Sequence, residues 1–440
     1  MSSADTGKRP FVTFLIEFSV PLMAGVVVAL LAANLAHESY EQLLHWMPFG
    51  ALSAFGHDVS FHFLVNDVFM VFFFGIAAKE ITESVLPGGS LNPPRKALNP
   101  LMATLGGVVG PVAVFFLGLW ACFLVGIYTP AHDFGALARG WGIPTATDIA
   151  LAWLVARFVF GKGHPAVDFL LLLAVADDAI GLGIIAVFYG NPELPAQPQY
   201  LALVLAAMGI AFALRRAHVR AWWLYVFLAG PVAWSGLMLA HLHPALALCV
   251  VVPFLPGPHR DTGLFRAQDE VDVMGEELAH DLHIEHSPLE KFEHTVKVPV
   301  DFGLFFFAFA NAGVLLSEIG TMTWLVFGAL VVGKTLGVTG FGLLARRMGF
   351  PLPLGMTVGE LAMAAFIASL GLTVALFVAA AAFVDPALQG EAKMGALFSG
   401  FVGLAALAIG RMLGFGARSA ATAERGEEMS GTERRVVTGQ

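Results

Sequence analysis

Residues 142–189 read GIPTATDIALAWLVARFVFGKGHPAVDFLLLLAVADDAIGLGIIAVFY. This stretch places three carboxylates, those of Asp148, Asp177 and Asp178, within two segments that are otherwise largely apolar. A charged side chain at the centre of a bilayer costs roughly 2.5 to 3.5 kcal/mol on insertion scales, so acids at that depth need a compensating role. The stretch therefore predicts two membrane-spanning segments, and its acids predict a path for ions.

The composition of the whole chain agrees with a membrane protein. Of its 440 residues, 57% are hydrophobic and only 13% are charged, and the mean hydropathy is +0.76. Soluble domains are typically about 45 to 50% apolar and about 25% charged. The net charge of −9 and the scatter of basic residues over short loops argue against nucleic-acid binding. Cys122 and Cys249 lie in apolar segments, which predicts small core residues and neither disulfides nor a zinc site.

The other apolar runs complete a prediction of about twelve transmembrane helices, and the expected fold is an all-α polytopic membrane protein. The two acidic segments are the fourth and fifth spans. Residues 37–60 are interrupted by proline and glycine and predict an ordered external hairpin. The remaining ten predicted spans are residues 11–35, 61–85, 99–125, 200–214, 222–239, 244–255, 298–316, 322–344, 354–384 and 394–413.

Two polar stretches fall outside the predicted spans. We interpret residues 257–297 as a solvated cytoplasmic loop. Its histidines leave proton sensing or metal binding as alternatives, although no zinc signature is complete. The tail, residues 417–440, has the composition of a disordered cytoplasmic segment. The histidines of the loop are His280, His283, His286 and His294.

The basic residues predict the orientation, because short cytoplasmic loops of membrane proteins collect lysine and arginine. With twelve spans and an inside N-terminus, only Arg139 and Lys393 fall in outside loops. Both termini are therefore expected in the cytoplasm. The inside segments hold pairs such as Lys8-Arg9, Arg95-Lys96, Arg215-Arg216 and Arg346-Arg347.

Lys334 belongs to neither side, because it lies near the middle of the tenth predicted span. At 1.5 Å per residue it is about 17 Å from the end of that span near Arg346, too deep to reach the interface. Asp177 lies about 18 Å from Pro165, measured from the same membrane face. A buried ammonium and a buried carboxylate at one depth are each far less costly if they meet, so this match predicts an ion pair.

Several motifs resemble, in order and spacing, the signature segments of the NhaA family of sodium/proton antiporters. Residues 371–377 are similar to the family's broken eleventh helix, and Asn66-Asp67 to its second helix. The resemblance extends through most of the chain. The four strongest motifs are TATDIA at residues 145–150, Asp177-Asp178 leading into IIAVFY at 184–189, FAFANAG at 307–313, and GKTLG at 333–337.

The resemblance implies an inverted repeat, in which spans 3–5 mirror spans 10–12 and the broken spans 4 and 11 cross at the ion site. This family is itself a known example of that architecture. The weakest helical stretches of spans 4 and 11 are residues 144–148 and 368–373. By resemblance, Asp148 and Lys334 balance the partial charges of the interrupted helix ends. The expected parts are residues 1–97 and 191–319 as an interface part, 98–190 and 320–416 as a transport core, and 417–440 as the tail.

The resemblance also implies the function. We expect a transporter, not an enzyme, that exchanges sodium or lithium ions for protons across the bacterial inner membrane by alternating access. It would need no cofactor, would serve sodium and pH homeostasis, and would form a homodimer through the 37–60 hairpin. We assign Asp178 to the cation and proton, Asp177 to pairing with Lys334 and to sharing the sodium and the proton, and Thr147 with Asp148 to the opposing wall, from which Thr147 also binds the sodium. Adjacent residues on a helix are about 100° apart, so the two neighbouring acids cannot face one direction.

Other hypotheses use the same residues differently. An antiporter of another monovalent cation, such as potassium, would have similar site chemistry and stays open. An intramembrane aspartyl protease would need a Gly-x-Gly-Asp pattern, which is absent, and a channel would need a ring of subunits. The least specific hypothesis is that all four charged residues in the predicted spans, Asp148, Asp177, Asp178 and Lys334, serve only in packing. Ala77 stands where the family has a glutamate, residues 297–299 depart from its His-Pro motif, and Asp301 is an added acid, so the family's pH profile does not transfer.

Overall fold

The computed structural model describes residues 19–415, except residues 51, 87–88, 90–93, 130–131, 162, 191–194 and 258–286. Within that part of the chain, seven helices are long and apolar enough to cross a membrane, and two further pairs of helices pass the same test together but are bent by 46° and 49°. Strands β1 (Ser53–Ala54) and β2 (His57–Asp58) pair antiparallel. The chain is a multi-pass α-helical membrane protein.

The helices fall into two groups on either side of residues 258–286. The first group is α1 (Val20–Leu35), α2 (His37–Leu44), α3 (Phe61–Val85), α4 (Pro94–Leu124), α5 (Phe134–Thr145), α6 (Ile149–Phe160), α7 (Pro165–Phe188), α8 (Pro198–Arg216), α9 (Trp222–Leu239) and α10 (Pro244–Phe254). The second group is α11 (Pro288–Asn311), α12 (Thr321–Arg347), α13 (Val358–Ile367), α14 (Leu372–Ala382) and α15 (Pro386–Leu413).

The two bent pairs are α5 with α6 and α13 with α14. Their breaks lie where the sequence predicts weak helix, at residues 144–148 and 368–373. In the first break Pro144 closes a 3-10 turn, and Asp148 then adopts an extended backbone and caps α6 by accepting the Leu151 N–H at 3.1 Å. A carboxylate in this position satisfies a backbone donor that a helix start leaves free. Local sequence chemistry therefore sets the break.

Close packing of α4 on α12 positions the tenth predicted span. A Cβ atom built on Gly106 would collide with the backbone of Gly337, and one built on Gly110 would collide with that of Gly333. Only glycine permits this approach of two backbones. The stretch Ala329–Gly333 is a π-helical turn, and such turns are frequent at functional sites. Lys334 follows it directly and is turned into the protein.

The structure confirms some predicted boundaries and corrects others. Helix α3 spans residues 61–85 as predicted, and the predicted hairpin at 37–60 contains strands β1 and β2 but also helix α2. The prediction of a loop through residue 297 is wrong, because α11 begins at Pro288 and carries His294. The N-terminal basic pair, the other three loop histidines and the tail lie outside the described residues.

Candidate ion-binding site

A buried ion pair joins α7 to α12. The Nζ atom of Lys334 lies 2.7 Å from Oδ2 of Asp177. Neither residue is reached by water, since Lys334 is 0% and Asp177 2% exposed. The pair predicted from matching depth is present. Breaking such a pair from one side strands a buried charge, which typically costs about 3 to 5 kcal/mol.

The ammonium of Lys334 uses all three of its hydrogens. Besides Asp177, it donates to the carbonyl oxygen of Thr145 and to Oγ1 of Thr147, each at 2.6 Å. The carbonyl belongs to the last residue of α5, where a helix end carries partial negative charge. Thr147 Oγ1 also lies 2.7 Å from Asp177 Oδ2, so one hydroxyl bridges acid and base. Thr147, from the break between α5 and α6, thus contacts both members of the ion pair.

Asp148 does not hydrogen-bond to the ion pair within the described residues and instead joins the two broken helices. Its Oδ2 accepts from both the backbone N–H of Thr373 at 3.2 Å and the hydroxyl of that residue at 2.9 Å. Its own N–H donates to the carbonyl oxygen of Leu370 at 2.6 Å. With the bond from Leu151, one carboxylate caps the starts of both α6 and α14. Each helix start contributes about half a positive charge, so the two starts together nearly offset the negative charge of Asp148.

The carboxylate of Asp178 differs from its neighbour, because it makes no hydrogen bond or ion pair to any described residue. Its side chain is only partly buried. It interacts electrostatically with Asp177, Glu80 and Asp148, all acids, as well as with Lys334. Oδ1 of Asp177 is likewise buried without a hydrogen-bond partner among the described residues. Acceptors without donors are the arrangement that a cation or a proton completes.

A second charged cluster lies between α3 and α11. Lys79 bonds to Glu83 at 2.6 Å and to Glu293, which Lys297 also approaches at 3.5 Å. Asp301 lies two turns further along α11, and its Oδ2 is buried without a partner among the described residues. The cluster occupies the region where the sequence departs from the NhaA pattern.

The sequence did not single out two residues that the structure places at the crossing. Thr373 supplies two of the bonds to Asp148, and Ser399, which is 0% exposed, accepts the N–H of Gly371 at 3.1 Å. Thr373 lies in the first turn of α14, directly after the break, where backbone N–H groups lack helical partners. Ser399 comes from α15 and carries no local signal, because its partner lies 28 residues away.

Residues 15–412 match the sequence model of the family described as Na+/H+ antiporter 1. The chain belongs to this family. The Na(+)/H(+) antiporter NhaA 1 of Pelobacter propionicus is 56% identical to this antiporter over 397 residues, covering 90% of this chain and 96% of the relative. The Na(+)/H(+) antiporter NhaA of Geobacter sulfurreducens is 56% identical over 405 residues, covering 92% and 98%. That of Geobacter metallireducens is 55% identical over 406 residues, covering 92% and 98%. This antiporter is thus a transporter and not an enzyme.

Proposed function

We propose that this chain exchanges sodium ions for protons at the crossing of its two bent helix pairs, with Asp178 and Asp177 as the groups for which the two ions compete. The observation that carries the proposal is a set of carboxylate oxygens beside a fully bonded lysine: Oδ1 of Asp177 is buried without a hydrogen-bond partner among the described residues, and the carboxylate of Asp178 makes no hydrogen bond to that part of the chain either. These oxygens accept either a proton or a cation.

Charge balance explains why the two ions exclude each other. The four interrupted helix ends contribute about half a charge each, two positive and two negative, and so cancel. Three carboxylates, those of Asp148, Asp177 and Asp178, then face one ammonium, that of Lys334, which leaves an excess of negative charge. Sodium lowers this excess when it binds, and so do protons. Binding of one therefore releases the other, and a site that opens to each side in turn couples the two gradients.

The proposal extends to the lithium ion, which resembles sodium in charge and in its preference for oxygen ligands. A potassium antiporter is the second candidate, since carboxylate and hydroxyl oxygens alone do not separate these cations. Thr147 and Asp148 form the wall opposite Asp178 in this proposal. Lys334 compensates Asp177 and the end of α5.

We place the protein in the bacterial inner membrane as twelve spans built from an inverted repeat. The similar bends of 46° and 49° in the two crossing pairs support such a repeat. Residues 98–190 and 320–416 form the transport core, and residues 1–97 and 191–319 form an interface part. A homodimer would form through residues 37–60, where β1 and β2 pair as a small hairpin.

Sodium-driven proton movement tests the proposed function. We expect that addition of sodium or lithium to acid-loaded vesicles containing the purified protein will collapse the proton gradient, and that potassium will not. The measurement is the fluorescence of a pH-sensitive dye, with protein-free vesicles as the control. If no cation collapses the gradient, antiport is wrong, and if only potassium does, the second candidate replaces sodium.

Residues 90 and 275 should be cytoplasmic, because basic residues concentrate in the segments that contain them. A cysteine at Ser90 or at Gly275, in a background lacking Cys122 and Cys249, should react with a membrane-impermeant thiol reagent only in inside-out vesicles. His57→Cys in the exposed strand β2 is the control and should react in intact cells. Reaction of either test cysteine in intact cells would reverse the proposed orientation.

A further inference from the structure

Tyr189 follows the last residue of α7 and is 2% exposed. Its hydroxyl donates to the carbonyl oxygen of Arg139 at 2.6 Å and accepts the N–H of Gly142 at 2.8 Å. Both partners belong to α5, the half of the broken helix that ends at the ion site. One phenol therefore contacts two positions of that segment that are three residues apart.

Space around Gly142 shows how closely the hydroxyl fits. A Cβ atom built on Gly142 would lie 2.5 Å from Oη of Tyr189 and 2.7 Å from its ring. Non-bonded carbon and oxygen atoms do not approach so closely, so any side chain at residue 142 would push the tyrosine or α5 away. The segment also reaches the second broken helix, because Nε of Arg139 donates to the carbonyl oxygen of Ala382 at 3.0 Å.

Hydrogen bonds that are linked through the residues Gly142 and Thr145 of α5 lead from Tyr189 to the ion pair. Tyr189 holds Gly142, whose carbonyl oxygen accepts the Thr145 hydroxyl at 2.7 Å. The carbonyl oxygen of Thr145 accepts Lys334 at 2.6 Å, and Lys334 bonds Asp177 at 2.7 Å. Asp177 lies on α7, about 18 Å along the helix axis from Tyr189, which follows the end of that helix. The chain of contacts is therefore a closed ring.

We infer that Tyr189 is a positioning residue for the cation site, which acts by holding the end of α5 where its carbonyl can orient Lys334 beside Asp177. The inference rests on the proposed function and adds a residue to it. Tyr189 touches neither ion, so its loss should weaken cation binding more than it slows turnover. Without the hydroxyl, the buried N–H of Gly142 loses its partner, and a buried donor left unpaired is costly enough to shift the segment.

The test compares two tyrosines that make the same kind of bond. Tyr189→Phe should raise the apparent KM for sodium about fivefold, the effect of losing one typical hydrogen bond, while the maximal rate changes less than about twofold. Tyr40→Phe is the matched control, because Tyr40 is also buried and donates to the carbonyl oxygen of Phe309 at 2.6 Å, away from the site. The apparent KM of the Tyr40→Phe protein for sodium should stay unchanged.

Gly142→Ala provides a second variant in case Tyr189→Phe does not fold, since it displaces the same hydroxyl by addition of a methyl group. It should also raise the KM. An unchanged KM in either folded variant, or an equal rise in Tyr40→Phe, would overturn the inference alone. Absence of exchange in the unmodified protein would overturn the proposed function and this inference with it.

Discussion

Asp178→Asn is expected to abolish sodium-driven proton exchange while the protein remains folded. The amide preserves the volume of the side chain but neither carries a negative charge nor takes up a proton in this range of pH. Folding should survive because the carboxylate makes no hydrogen bond or ion pair to any described residue, so its removal strands no partner. The measurement is the rate of dye-reported exchange in vesicles at matched protein content.

Two other aspartate-to-asparagine substitutions provide the comparison for Asp178→Asn. Asp168 lies on the same helix as Asp178 but is exposed, so the Asp168→Asn protein should retain exchange. Asp148→Asn should be milder than Asp178→Asn, because an amide can still accept from α6 or α14. Stabilisation of the purified protein by sodium should vanish in Asp178→Asn and weaken in Asp148→Asn. Retained exchange in Asp178→Asn would move the ion site elsewhere.

The parts of this fold that the sequence predicts are those governed by local rules. Helix α3 is a largely apolar segment with polar residues toward its ends, and its bounds coincide with the prediction. The first helix break is predictable because Pro144 and the adjacent hydroxyl and acidic residues disfavour helix locally, and the second because residues 368–373 contain Ser369, Gly371 and Thr373. The match in depth between Lys334 and Asp177 needed only the helical rise and the cost of buried charge. Each of these arguments examines one segment at a time, and only the depth match then compares two segments, because Lys334 and Asp177 are 157 residues apart.

The start of α11 was missed for a physical reason. Its first turns carry charged residues and are polar enough to read as a loop. The signal that could have found it is local: Ser287 accepts the N–H of Glu290 at 3.3 Å, and Glu290 accepts the N–H of Ser287 at 2.7 Å. Such a capping box followed by Pro288 is a helix start even in polar sequence.

The contacts that complete the site were beyond any local argument. The bond from Thr373 to Asp148 joins residues 225 apart, and that from Lys334 to Thr145 joins residues 189 apart. Such pairs depend on how two broken helices cross, which periodicity and capping signals do not specify. The sequence therefore predicts which residues are charged and at what depth, and the fold decides which of them share a proton or an ion.

The pair of Asp177 with Lys334 should show strong coupling in a double-mutant cycle. Lys334→Gln leaves the acid buried with only the Thr147 hydroxyl, and Asp177→Asn leaves the ammonium with two neutral acceptors. Each single change should cost about 3 to 5 kcal/mol, because it strands a buried charge. The double change removes both charges and should cost clearly less than the two single changes together. Melting temperatures in detergent measure this, calibrated to free energy where unfolding is reversible.

Lys393→Gln combined with Asp177→Asn is the control cycle. The Lys393 side chain interacts with Glu41 and Glu318 and not with Asp177, so its effect should add to that of Asp177→Asn within about 0.5 kcal/mol. Coupling of about 1 kcal/mol or more in the Asp177–Lys334 cycle, with additivity in the control, identifies the contact as energetically real.

Additive effects in the Asp177–Lys334 cycle would change the roles that we assign to the two residues, and not only the strength of their interaction. Lys334 would then be stabilised by the carbonyl oxygen of Thr145 and the hydroxyl of Thr147, both at 2.6 Å, without help from the acid. Asp177 would have both oxygens available for sodium, and the cation would sit between two adjacent carboxylates. Sodium should then stabilise Lys334→Gln as much as the unmodified protein. With a coupled pair, sodium should stabilise Lys334→Gln more, because the freed charge of Asp177 adds to the attraction for the cation.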